Sequence, residues 1–526
     1  MKRKYISCLI ACCMAFAGCE DMMNTQPEGA NKTDALKEDA YSKIPENAAA
    51  DISAIYAIMI QEFAGLGDYG YSRHNDFGLA SCLMMIEAEG QDWVGPNIGY
   101  NWFGYSDFAN HSTTSYGALQ VWNMFYKIIY ACNTVISSIP ADAEDATLLS
   151  NRGQALALRA YCYTTLAQLY QFTCSNEANL QKPCVPIVRD GMTADELTNN
   201  PRQTVEAVYK FIMEDLDEAI ADLDGYNRAD KGMVDQAVAY GFRARVNLLL
   251  NNGQAAADDA AKAIALSGAQ PYTRAEVSQP TFCSATANSV IWANIIVESN
   301  DIVQSGIVNW PSHMSSLFTD GYTGVGAYRS IASALYDQIP ATDVRHGWWL
   351  DENLSSPLLE NNNYSVWKEV AESDPSMQYV NVKFGVAGDN MQTLTAAADW
   401  ILMRYEEMLF VQAEGLAMAG KEGEAKALLE NFVQQNRDPK YTCTGDVREA
   451  IWLQRRIELW GEGFAFFDLQ RLEKPTVRTN SSNWPAAWVV DVPANHSARL
   501  WVIPQKEIEA NDGISEQDNN PFVSPL

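Results

Sequence analysis

Apolar residues recur every three or four positions over most of the chain, the spacing of a helix with one buried face. The pattern predicts helices near 48–64, 118–139, 146–171, 203–224, 234–251, 253–267, 398–419, 421–436 and 446–472. Several are joined by short turns. Asn251-Asn252-Gly253 links two of them, and Gly420 closes another just before Lys421; glycine there adopts the left-handed conformation that ends a helix. In 446–472, Leu453, Ile457, Trp460, Phe464 and Phe467 form one seam. Burial of each large apolar side chain stabilises by ~1.5–3 kcal/mol, so this seam is expected in the core. Gly461 and Gly463 within it weaken a helix by ~1 kcal/mol each, and a closely approaching backbone would explain them.

Two stretches break the period. Residues 65–117 are Gly-rich and aromatic, and 269–397 are rich in Gly, Asn, Ser, Pro and aromatics. Within the second, Ser289 to Val297 reads as a short strand or a buried segment. The predicted fold is therefore mainly all-α: antiparallel helix pairs with a tetratricopeptide-like architecture. The helical scaffold is drawn from about 41–64, 118–268 and 398–526. With the two insertions and a few short strands it forms a single domain, 41–526. Loops on a rigid frame are where recognition usually resides.

Charge removes one class of function. The 526 residues carry 66 Asp and Glu against 37 Lys and Arg, a formal net charge of −29. Nucleic-acid binding needs basic side chains on phosphates, so no nucleic-acid partner is expected. Five histidines leave little material for a metal site. Gly65-x-Gly67-x-x-Gly70 fits the dinucleotide pattern by letter but follows a helical stretch where a strand is required. Walker A, His-Glu-x-x-His, Cys-x-x-Cys and EF-hand patterns are absent from the sequence. Neither a cofactor, a metal nor a catalytic set is expected.

The first residues read as an export signal. Lys2, Arg3 and Lys4 precede an apolar stretch from Tyr5 to Ala17, too short to span a bilayer. Ala17-Gly18-Cys19 resembles a bacterial lipobox, which makes 1–18 the leader, Cys19 the lipidated first residue and 19–40 a tether. The plainer alternative is an ordinary secretory signal. Beyond Cys19 seven cysteines remain, an odd number. Cys174 and Cys184 flank a polar loop and read either as a disulfide or as two free buried thiols.

Four segments, with Cys19, carry a resemblance to the SusD/RagB family of surface lipoproteins in Bacteroidetes nutrient uptake. They are Trp122-x-x-x-Tyr126-x-x-Ile129 with Asn133; Ala155 to Phe172 leading to Pro183-Cys184-Val185-Pro186; Arg404-Tyr405-Glu406-Glu407 through Ala413-Glu414; and Arg455-Arg456-Ile457-Glu458-Leu459 to Arg471, closed by Leu500 to Pro504 and Asn519-Asn520-Pro521. The resemblance implies a binding protein without catalysis. It would sit on the outer face of the outer membrane over a SusC-like TonB-dependent transporter and hand it an oligosaccharide. Some members bind peptides, so a peptide or glycopeptide ligand is the alternative within the class. A helical surface glycoside hydrolase, or a scaffold that touches no nutrient, is the alternative outside it. Arg159, Arg404, Arg455 and Arg456 recur beside Glu406, Glu414 and Glu458 and are expected to lock helix to helix.

A glycan binder needs flat aromatic faces for the C–H patch of a sugar ring and polar rims for its hydroxyls. Asp92 to Trp102 has that composition, with Trp93, Tyr100, Asn101 and Trp102 as candidate contacts. The second insertion offers Trp310, His313 and Tyr322, then Arg345, Trp348, Trp349 and Trp367. Of these Trp310, Tyr322 and Trp348 join the candidate set. The competing reading is that such rings pack the long loops.

Overall fold

The computed structural model describes residues 34–104, 108, 111–315, 321–361, 374–385 and 396–525. The leader, Cys19, most of the tether and Trp367 lie outside them. The longer helices are α1 (Asp34–Lys43), α2 (Asn47–Ile58), α3 (Leu79–Glu87), α4 (Tyr116–Ser137), α5 (Ala146–Tyr170), α6 (Val205–Asp222), α7 (Gln236–Leu249), α8 (Gly253–Ser267), α9 (Tyr405–Met418), α10 (Glu422–Asn436), α11 (Val447–Glu458) and α12 (Ala465–Arg471). From α4 to α10 each packs on the next in chain order, with α8 meeting α9 across the second insertion. This is the tetratricopeptide-like, mainly α scaffold.

The starts of the helices are set by side chains. Ser115 accepts from the Ala118 amide, Asp145 from Thr147 and Leu148, Thr204 from Ala207 and Asp235 from Val238. Each cap is worth ~1 kcal/mol. Gly420 ends α9 at φ 77°, and Asn251 turns the α7–α8 connection at φ 62°.

Two predicted helices are divided. The 398–419 segment begins as a strand, Trp400–Arg404, before α9, and pairs antiparallel with Val290–Asn294. The second break falls between α11 and α12, where Gly461 and Gly463 take φ 77° and 89°. Those angles lie in the left-handed region that a helix interior excludes. The amides freed at Gly461 and Ala465 donate to the Glu87 carboxylate of α3 at 3.1 and 3.0 Å. The glycines thus turn the chain instead of thinning one helix. Most of the seam still reaches the core, with Ile457 and Trp460 buried and Leu453 and Phe467 packed against it.

None of the seven described cysteines is in a disulfide. Cys174 Sγ points to the Leu249 carbonyl at 3.0 Å and Cys184 Sγ to that of Ala167 at 3.8 Å, so the two serve as buried small apolar groups. Among the described residues no helix is long and apolar enough to cross a membrane.

The recurrent arginines do lock the frame. Arg159 holds Asp215 and Asp190, Arg455 holds Asp468, and Glu414 takes Arg471. A buried set joins Arg345, Lys383, Arg404 and Arg437 to Asp343, Glu406, Glu458 and Glu462. Arg456 reaches out of the scaffold to Asp92 at 2.6 Å, and the Trp460 indole donates to the Asp92 carbonyl at 2.7 Å. These bonds fix the first insertion to α11.

Candidate functional site

The two insertions are joined by a two-residue antiparallel ladder, Trp93–Val94 against Ser330–Ile331, with Trp93 opposite Ile331. That pairing turns Trp93 inward. It is 1% exposed, and its indole N–H meets the Met314 sulfur at 3.4 Å. Trp310 donates to the Ala398 carbonyl at 2.7 Å between the edges of Phe384 and Trp400. Trp348 donates to the Val277 carbonyl at 2.9 Å beside Phe282. Trp310 and Trp348 are as enclosed as Trp93, and so are Arg345 and Trp349. A sugar face cannot reach these rings where they lie. Trp93, Trp310 and Trp348 are the miniature core that holds long loops together, which corrects their assignment as ligand contacts.

The other candidates converge. Asn101 bonds back to its own loop, donating to the Pro96 carbonyl at 2.8 Å and accepting from the Phe103 amide at 3.2 Å. It shapes the turn that places Tyr100 and Trp102. Tyr100 is 60% exposed. Trp102 is half-buried, with the His74 ring 4.9 Å from its centre and Tyr322 6.3 Å away, edge-on. Tyr322 lies deeper. Its ring stacks on His313 at 4.6 Å, and its hydroxyl bonds His74 Nδ1. Burial pushes the Tyr322 phenol up, offset in part by its bond with Trp102.

Sequence reasoning missed four neighbours of this cluster. Tyr71, Arg73 and His74 come from the first insertion, and Tyr116 is the first residue of α4. The Arg73 guanidinium lies 3.7 Å above the Tyr116 ring and 5.9 Å from that of Trp102. Tyr71 meets Tyr116 edge-on at 4.9 Å. A Tyr-x-Arg-His string in a Gly-rich loop was the available signal. The first insertion and the start of α4 thus contribute aromatic surface to one face, rimmed by a guanidinium and an imidazole and backed by the buried Tyr322 of the second insertion.

The loop that carries Tyr71, Arg73 and His74 is closed from within. The Asp76 carboxylate accepts from Gly65 at 3.1 Å and from Leu66 at 2.8 Å. The first two amides of the dinucleotide-like string are thereby occupied, and those of Gly67 and Gly70 go to the Phe63 and Gly67 carbonyls. Gly78 sits at φ 84°, where a β carbon would fall 2.2 Å from the Met59 carbonyl oxygen. Gly78→Ala combines a left-handed angle with a backbone clash and is expected to cost about 2 kcal/mol. Chemical denaturation checks this.

His313 is sandwiched between Phe77 and Tyr322 and donates through Nε2 to the His74 carbonyl at 3.1 Å. Burial, with Arg329 and His74 nearby, holds its pKa well below the usual imidazole value. It stays neutral in the fold while an unfolded imidazole gains a proton below about pH 6.5. Stability is therefore lost as pH falls below that value, by up to ~1.4 kcal/mol per unit. His313→Phe keeps the stack and is expected to flatten the decline in melting temperature between pH 7.5 and pH 5.

Known proteins place this architecture. A family model described as "Starch-binding associating with outer membrane" matches residues 86–248, and the SusD family model matches 359–522. The SusD-like protein P38 of Formosa agariphila is 21% identical over 504 residues, covering 87% of this chain and 88% of that protein. A SusD-like carbohydrate binding protein from Bacteroides vulgatus superposes with a TM-score of 0.73 at 21% identity, over 91% of this chain and 98% of its own. Surface glycan-binding protein A from Bacteroides fluxus gives 0.62 at 16% identity, over 91% and 99%. The two family models lie in chain order on the scaffold and on both insertions, and the chain belongs to the SusD/RagB family.

Proposed function

We propose that this protein captures an extracellular oligosaccharide on the face formed by Tyr71, Tyr100, Trp102, Tyr116 and Tyr322 and passes it to a SusC-like TonB-dependent transporter. One observation carries the reading: the exposed rings of Tyr71, Tyr100 and Tyr116 and the half-buried Trp102 gather on one face backed by the buried Tyr322 of the second insertion, with Arg73 and His74 at their rim. A pyranose presents C–H groups to such rings, and its hydroxyls need the polar rim. The names of relatives that bind carbohydrate and glycan support the class of ligand. The aromatic face supports binding without turnover. In this reading residues 1–18 are the leader, Cys19 bears the lipid, 19–40 tether the protein to the outer membrane and 41–526 form one domain.

Calorimetry of the full chain in detergent against a panel of oligosaccharides and peptides tests the proposal. Saturable heat with a glycan, and no release of shorter sugars on long incubation, is the expected result. Heat with peptides alone moves the ligand class, and product release makes the protein a hydrolase.

A further inference from the structure

In this acidic chain the buried guanidiniums are nearly all provided for. Arg345, Arg404 and Arg437 hold carboxylates, while Arg478 and Arg499 reach backbone carbonyls. Arg329 departs from this. It is fully enclosed, its Nη1 reaches only the adjoining Tyr328 carbonyl at 3.4 Å, and its Nε and Nη2 have no partner among the described residues. The guanidinium rests 4.8 Å from the Trp93 ring centre and 5.9 Å from that of Phe103. Burial lowers its pKa to about 9, so it remains a cation at neutral pH. The wall between it and the ligand loop is one glycine thick. A β carbon at Gly95 would lie 3.4 Å from Arg329 Nη1 and 3.0 Å from Asn101 Nδ2.

Arg73 departs in the same neighbourhood. It lies flat on Tyr116 beside Trp102 and makes no ion pair among the described residues. A guanidinium held by an aromatic face keeps its fork of N–H donors for a planar or tetrahedral anion. A buried charge without a counter-ion persists only where the surroundings or a bound partner repay it.

We infer that the oligosaccharide is anionic, bearing carboxylate or sulfate groups, with Arg73 taking one such group beside Trp102 and Arg329 supplying a fixed positive charge behind the Gly95 loop. The inference rests on the glycan-binding reading above and narrows it. A chain of net charge −29 repels an acidic polymer over most of its surface, so a local positive centre sets both where and in which orientation it lands.

The test compares calorimetric affinities of the full chain for neutral gluco-, xylo- and manno-oligosaccharides with those for oligogalacturonate, oligomannuronate and a sulfated galactan oligomer. The best anionic ligand is expected to bind about tenfold tighter than the best neutral one, the scale of a charge-assisted hydrogen bond. The margin should shrink in high salt. Arg73→Gln should remove it with the melting temperature unchanged. Arg329→Met, which keeps an apolar stem against Trp93, should reduce it while neutral binding remains. A neutral sugar as best ligand, or equal losses for both classes in Arg73→Gln, overturns the inference and leaves the glycan reading standing. Silence across the whole panel overturns both. An unchanged margin in Arg329→Met removes the buried charge from recognition and overturns that half.

Discussion

Glu458→Gln is expected to destabilise the protein by about 3–5 kcal/mol, the cost of breaking a buried ion pair by removing one partner. Glu458 ends α11, fully enclosed. Its two oxygens accept from Arg437 at 2.7 and 2.8 Å, from Arg404 at 3.0 Å and from Arg345 at 3.3 Å. The neutral amide removes the charge that three guanidiniums share and turns an N–H₂ toward two of them, since each oxygen accepts from two. Burial alone would raise the Glu458 carboxyl, but Arg437, Arg404 and Arg345 outweigh it and hold the group well below the usual carboxylate range. A depressed carboxyl contributes its full stability above the unfolded value near pH 4.3 and loses it as pH falls toward the folded one. The gap between wild type and variant in denaturation midpoint should therefore be complete at pH 6 and narrow below pH 4. Glu509→Gln, which touches only the exposed Lys506, is the control that should leave the midpoint in place. Equal midpoints for Glu458→Gln and wild type would remove the charge network from the account of the fold.

That network joins the scaffold to the second insertion. Arg345 and Lys383 belong to the insertion, Arg404 and Glu406 to the strand-to-α9 junction, and Glu458 and Glu462 to the end of α11 and the turn after it. It is why two loop-rich stretches with little secondary structure can hold a face in register.

The scaffold was legible because helix burial repeats. α5, α7 and α8 each match their periodic segments to within a few residues, since one stripe of apolar side chains faces the neighbouring helix along the whole element. Periodicity failed where backbone conformation, not burial, made the decision. Leu453 to Phe467 keeps a helical spacing across Gly461 and Gly463, yet left-handed angles turn the chain there and Glu87 caps the break from 374 residues away in sequence. No local pattern carries that contact. The same limit applied to the Trp400–Arg404 strand, whose partner lies in the second insertion.

The site was half legible for a different reason. Composition marks both insertions as aromatic, but a tryptophan that packs and one that presents a face are the same letter. Trp93 and Trp102 stand nine residues apart in one loop. The difference is that Trp93 occupies a strand position whose partner, Ile331, comes from the other insertion, whereas Trp102 follows a turn pinned by Asn101. Arg73 and Tyr116 went unnoticed because their stack is formed across the start of α4.

Substitution of those two tryptophans separates the roles. Trp102→Ala is expected to leave the melting temperature close to wild type, since the ring is half-buried and its neighbours His74 and Tyr322 retain each other. Affinity for the oligosaccharide should fall roughly tenfold or more, as a lost aromatic face is worth ~1–2 kcal/mol in contact. Trp93→Ala should do the reverse. It empties a site enclosed by Met314, Phe103 and Arg329 and is expected to cost about 3–5 kcal/mol of stability, the range for deleting a buried aromatic ring. Protein that remains folded, at low temperature, should bind neutral oligosaccharides with an affinity near that of wild type, because no ligand atom reaches Trp93, although Arg329 loses the ring it rests on. A Trp102→Ala variant that melts early and binds normally would assign that ring to packing as well, and the recognition face would have to be sought on another part of the insertions.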